Sequence, residues 1–192
     1  MWAVPRNFSS VLAAVLVGAL CCGCAERGQR FHAQGGILDL RDWDVSQQST
    51  VFLTGEWGYH WNELVDPYDA LKPRADGLPT GTLAVPIFWN GLVDPTDSSV
   101  KLDSDGYMSL TLRVLLPDGL ANHDLALASR GANSSTELFV ATSDGVQRIL
   151  GHGKVATTIH DSVPDWSIQY GRFDAPVDGV VELVWHVSNY HH

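Results

Sequence analysis

Alternation of apolar and polar residues is the dominant period in this 192-residue chain. In the run 109–114, Leu110, Leu112 and Val114 share one face, and Met108 and Leu116 extend it. Near the carboxyl end Val181, Leu183, Trp185 and Val187 alternate with Glu182, Val184, His186 and Ser188. Shorter runs of the same kind occupy 125–128, 137–140 and 146–150. A period of two sends successive side chains to opposite faces, so each run predicts a strand with one face on a core. Between the runs stand Pro117-Asp118-Gly119, Ser143-Asp144-Gly145 and Pro176-Val177-Asp178-Gly179, whose residues favour turns. Asp-Gly tolerates the positive backbone angles of a tight connection, so the second predicts a hairpin between Val140 and Val146. Beyond the first 23 residues no segment carries a sustained helical stripe, and 62–72 has room for a helical turn or two. Many short strands with regular turns predict an all-β fold, a jelly-roll β-sandwich. Leu64 to Thr82, with its prolines and glycines, reads as a long loop, and loops of that length often carry function.

The amino terminus is different. Arg6 is followed by an apolar or small stretch from Phe8 to Cys22, and the chain turns abruptly polar from Ala25. A basic start, a short apolar middle and a small-residue exit predict a secretory signal peptide over 1–23. The run falls short of the roughly 20 apolar residues of a comfortable membrane span. All three cysteines lie in the stretch Leu20-Cys21-Cys22-Gly23-Cys24. Cleavage before Cys24 would place a cysteine at the new amino terminus, and the segment resembles a bacterial lipoprotein signal in which that sulfur is acylated. It departs from that pattern in having Cys21 where the usual leucine stands. The expected localisation is therefore the cell envelope, periplasmic or at the cell surface, anchored through the lipid on Cys24. The remaining residues, 24–192, suffice for one domain with a sizeable core.

Composition narrows the function. Losing the leader removes one of the 12 basic residues and none of the 22 acidic ones, so the net charge falls from -10 to -11. Such a chain is a poor partner for nucleic acid, whose affinity comes from cations that neutralise phosphates. Anionic lipid headgroups would repel it as well, which leaves the lipid as its membrane attachment. No cysteine pair remains after cleavage, which removes disulfide, thiolate-zinc and cysteine-nucleophile readings.

A series of short motifs then runs in order: Gly36-Ile37-Leu38-Asp39-Leu40, Leu53-Thr54-Gly55-Glu56-Trp57-Gly58-Tyr59-His60-Trp61, Val85-Pro86-Ile87-Phe88-Trp89-Asn90 and Gly106-Tyr107. It continues through the 138–151 hairpin to Val187-Ser188-Asn189-Tyr190-His191. In this order the motifs resemble the extracytoplasmic jelly-roll sensor domain of bacterial seven-transmembrane receptors with diverse intracellular signalling modules. More remotely they resemble the galactose-binding-like sugar-binding domain of glycoside hydrolase family 2. The resemblance covers 36–191 and implies a ligand-binding domain without catalysis, since family 2 places its catalytic acids in a separate barrel. The receptors often carry a tyrosine where Leu110 stands and asparagine-glycine where this chain has Ser143-Asp144-Gly145. They also continue into seven membrane helices, whereas this sequence ends at His192.

Several residues are candidates for ligand contact. Trp57, Tyr59 and Trp61 alternate along one strand and share a face, where large aromatics usually form core. Trp89 and Trp166 stand beside turn residues, where a flat ring can stack on a sugar. Arg130 and Asn133 belong to a polar segment after a predicted strand, and arginine offers a planar fork of donors. Asp94, Asp97, Asp103 and Asp105 cluster, but their spacing fits no defined calcium loop, and no metal is expected. The scattered histidines form no zinc-hydrolase motif, no nucleophile elbow occurs, and nothing calls for a cofactor. The expectation is a non-catalytic sensor module that binds a small molecule, with carbohydrate the class its aromatics suit, and that works with a membrane-protein signalling partner. Two alternatives stay open: an envelope lipoprotein that docks on another protein, and a fragment of a seven-transmembrane sensor.

Overall fold

The two longest alternating runs become the two central strands. In the computed structural model β4 (Gly106–Leu115) and β9 (Val180–Asn189) pair antiparallel along their whole length, from Gly106↔Asn189 to Leu115↔Val180. Met108, Leu110, Leu112 and Val114 of β4 and Val181, Leu183 and Val187 of β9 are buried on one side. The structure describes residues 31–72, 79, 81–86, 89–94, 97–129, 134–165 and 167–190, all within one unit, Phe31–His192. The predicted leader over 1–23 and Cys24 lie outside the described residues, as do Arg130, Asn133 and Trp166.

Around this pair the chain builds the all-β jelly-roll sandwich that the alternation predicts. The large sheet runs β3 (Gly81–Val85), β2 (Gly55–Trp61), β4, β9, β6 (Ser135–Thr142), β7 (Gly145–His152). β1 (Ile37–Asp39) shares one edge of β4 with β2: β2 pairs antiparallel with Met108–Thr111, and β1 pairs parallel with Arg113–Leu115. β5 (Asp124–Ser129) and β8 (Gln169–Asp174) form a two-stranded sheet whose Leu125, Leu127 and Phe173 pack on the core. The hairpin turn falls on Ser143-Asp144 as expected, and one helical turn, Asp69–Leu71, lies in 62–72. β8 was not evident from alternation. It lies against β7, where Gln147 Nε2 donates to the Arg172 carbonyl (3.4 Å) and Gly151 N–H to Gln169 Oε1 (3.1 Å). A register shift in the β6–β7 ladder brings Ile149 so close to Gly171 that a Cβ there would meet Ile149 at 2.4 Å. Only glycine fits, and the strand is correspondingly hard to read as one.

The other face of the large sheet departs from the simple picture of a polar, solvated side. One of its rows runs His60, Ser109, His186, Glu137 across β2, β4, β9 and β6. His60, Ser109 and His186 are all buried, and so are Ser135 and Ser188 further along. Two loops cover them. Residues 62–72 cross one end: Ser109 Oγ accepts from Val65 N–H (2.9 Å) and donates to the Glu63 carbonyl (2.8 Å), and His186 Nε2 donates to the Val65 carbonyl (2.9 Å). Residues 154–163 cross the other: Ser135 Oγ donates to the Val163 carbonyl (2.7 Å), and Ser188 Oγ accepts from Ala156 N–H (3.2 Å). The polar residues of this face therefore serve as anchors for loops that the strands themselves cannot bond. Each such bond contributes about 1 kcal/mol net, and more is lost when a partner is left buried alone.

His186 has a pH consequence. Its Nε2 must carry hydrogen to meet a carbonyl, and its ring packs against Phe139 (centroids 5.1 Å apart). Burial lowers its pKa from the ordinary 6.5, while the Val65 carbonyl, Glu137 and Asp66 pull weakly the other way. A histidine held neutral in the fold but free to protonate when unfolded makes the unfolded state bind more protons. Its contribution to stability is thus complete above about pH 6.5 and declines as pH falls from 6.5 toward the lowered value. The thermal midpoint of His186→Gln, measured between neutral and mildly acidic pH, is expected to fall less steeply than that of the unaltered chain. Parallel slopes would contradict this role.

Candidate functional site

Strand register collects one row of inward side chains near one end of the sandwich. Trp61 pairs with Met108, Met108 with Val187, Val187 with Thr136 and Thr136 with His152. The row is apolar on the β2 side and polar on the β7 side. Trp61 takes Trp89 against its ring edge-on, with centroids 6.1 Å apart and planes at 72°. The geometry suits aromatic quadrupoles. Trp89 is half-buried and packs on the core, and its indole Nε1 is buried with no hydrogen-bond partner among the described residues.

At the polar end of the row His152 is 1 % exposed. Its Nδ1 lies 3.0 Å from Ser167 Oγ, its Nε2 is buried with no partner among the described residues, and Gln169 Nε2 donates to the same Ser167 oxygen (3.2 Å). Ser167 Oγ also lies 3.3 Å from Asp165 Oδ2. The trio has the residue types of a hydrolytic triad but the wrong order, because serine stands between the acid and the histidine. The histidine contacts the serine without contacting the acid, so the relay that a triad needs is not assembled. Trp57 Nε1 also has no partner among the described residues, but it sits mid-core against Trp185 (6.0 Å). Trp57 and Tyr59 are fully inside, as aromatics of one strand face should be.

The segment after Trp89 is a small tight loop. Leu102 N–H donates to the Leu92 carbonyl (2.7 Å), Asp94 N–H donates to the Val100 carbonyl (2.9 Å), and Asp97 Oδ1 accepts from the backbone and hydroxyl of Ser99. Asp94 faces the Tyr59 hydroxyl. Burial, followed by this carboxylate, pushes the phenol up to about 12. Asp103 turns to Ser104 N–H (2.7 Å). Among the described residues no three acids, histidines or cysteines come together to hold a metal.

The sequence candidates can now be placed. Trp89 joins the row through Trp61. Arg130, Asn133 and Trp166 lie outside the described residues, but their flanks converge. Ser129 at the end of β5 pairs with Gln169 at the start of β8, Ser135 opens β6 beside Ser188, and Ser167 meets His152. The segments carrying Arg130, Asn133 and Trp166 thus start and finish at the end of the sandwich that holds Thr136 and His152. His152 and Ser167 were not singled out in the sequence. They are 15 residues apart and meet because β8 lies against β7.

Comparison with protein-family models finds no match, and comparison with curated proteins finds none. Among solved structures the chain is similar to a Faecalibacterium prausnitzii beta-glucuronidase, at 18 % identity and a TM-score of 0.46 over 71 % of this chain. It is also similar to a Ruminococcus gnavus beta-glucuronidase, at 17 % identity and 0.42 over 71 %. The chain spans about a fifth of each enzyme, 20 % and 21 % respectively. Likeness at these scores assigns neither family nor activity.

Proposed function

We propose that this chain is a non-catalytic binding module of the cell envelope, exported by its leader, held through a lipid on Cys24, and carrying a small ligand at the loop end of the sandwich. The observation behind the reading is the convergence, on one end, of Trp89 and of the flanks of the segments that hold Arg130, Asn133 and Trp166. At the two opposite ends of the row, Trp89 Nε1 and His152 Nε2 are buried and have no hydrogen-bond partner among the described residues. Carbohydrate is the ligand class that fits indole faces together with arginine and asparagine donors. Its binding would bias a membrane partner by favouring one of two conformations.

A second reading, docking on another envelope protein, draws on Ile168 and Tyr170, which are 71 % and 74 % exposed at the start of β8. Large apolar side chains in open water often mark an interface. Thermal-shift measurements with sugars, carboxylates and amino acids separate the two. A ligand at a hundredfold excess over its dissociation constant raises stability by about 2.7 kcal/mol, and Trp89→Ala should abolish the shift. A melting curve that no compound moves counts against the small-ligand reading. For the anchor, Cys24→Ser is expected to lose incorporation of labelled palmitate; retained label contradicts it.

A further inference from the structure

The polar face of the large sheet also holds an ion pair between the two central strands. Arg113 of β4 and Glu182 of β9 stand directly opposite each other, and Arg113 Nε donates to Glu182 Oε1. The glutamate side chain is 5 % exposed and the arginine 33 %. Taking a carboxylate out of water costs several kcal/mol, and apolar residues of similar volume often serve stability as well or better. The pair is therefore not accounted for by stability alone. Its position is informative: it forms the floor of a depression of about 350 Å³ whose walls are Leu71, Thr142, Ser143, Asp178 and Val180. On the far side of Glu182 the neighbouring strand contributes Ala141, whose small side chain leaves the floor low.

The chemistry on this floor selects the ligand. Arg113 and Glu182 neutralise one another, while the terminal amino groups of Arg113 make no hydrogen bond among the described residues. Asp178 at the rim holds Val180 N–H with one oxygen (3.2 Å), and the Thr142 and Ser143 hydroxyls supply further acceptors and donors. A free anion would meet Asp178 and the chain's net charge of -10. A bare cation would meet the guanidinium. Adjacent hydroxyl groups use both kinds of partner at once, accepting from the guanidinium and donating to the Asp178 carboxylate at the rim, with Glu182 holding the guanidinium in place. A volume near the lower limit of small-molecule sites, roughly 300–1,000 Å³, suits a single ring.

We propose that the Arg113–Glu182 depression is a second binding site, on the face away from the core, that takes one ring of a neutral polyol of the monosaccharide class. The inference does not depend on a ligand at the loop end. Its test is a titration of the 15N-labelled protein with D-glucose, D-galactose and myo-inositol, with glycine and acetate as the zwitterionic and anionic comparisons. The expected result is a saturable shift of the Arg113 Nε–H signal and of the Ser143 and Asp178 amides with at least one polyol. Arg113→Lys keeps the charge but loses the fork, and Glu182→Gln keeps the shape but loses the charge. Each is expected to weaken the binding by about tenfold or more, the value of one charge-assisted hydrogen bond. Four results would overturn the inference: no saturable shift with any polyol, a response to glycine or acetate in place of the polyols, polyol binding untouched by both variants, or shifts confined to the Trp89 indole. The last would leave the loop-end reading standing while this one falls. Should either variant fail to fold, the map of shifts on the unaltered protein still decides.

Discussion

A sheet that is covered on both faces must have its polar side chains hydrogen-bonded from above, and much of this molecule follows from that constraint. The central pair β4–β9 buries aliphatic side chains on one face and Ser109, His186 and Ser188 on the other. Once water is displaced from the second face, these groups need partners. They find them in loop backbone, at Glu63, Val65, Ala156 and Val163. The loops in turn are fixed by the same bonds, since irregular backbone laid over a sheet also has amides and carbonyls to satisfy. Sheet and loops are thus mutually required.

This arrangement explains what was legible in the sequence. The long strands were legible because their inward residues are aliphatic and their period is unbroken: 181–187 needs no context to be read. β8 was not, because its inward residues are Gln169, Gly171 and Phe173 while Tyr170 points out. Its pattern answers to a bulge in β7 and to a neighbouring glutamine, neither of which a local window contains. The polar face was misleading for a related reason. Alternation separates residues that want apolar neighbours from residues that want hydrogen bonds, and it cannot say whether water or a loop provides those bonds.

The sites divide the same way. Trp89 could be picked out by its turn surroundings, and the structure puts it against Trp61. His152 with Ser167, and Arg113 with Glu182, are unremarkable letters 15 and 69 positions apart until register joins them. The loop end offers the Trp61 and Trp89 rings, whereas the depression offers a guanidinium fork over a buried carboxylate.

The central claim is that the loops at 62–72 and 154–163 are integral parts of the sandwich. Amide hydrogen exchange tests it most directly. The Val65, Ala156 and Lys154 amides, which donate to Ser109, Ser188 and the Val163 carbonyl, should exchange as slowly as amides of neighbouring strand ends and should speed up in Ser109→Ala or Ser188→Ala. Exchange at the rate of open loops in the unaltered protein would contradict the account.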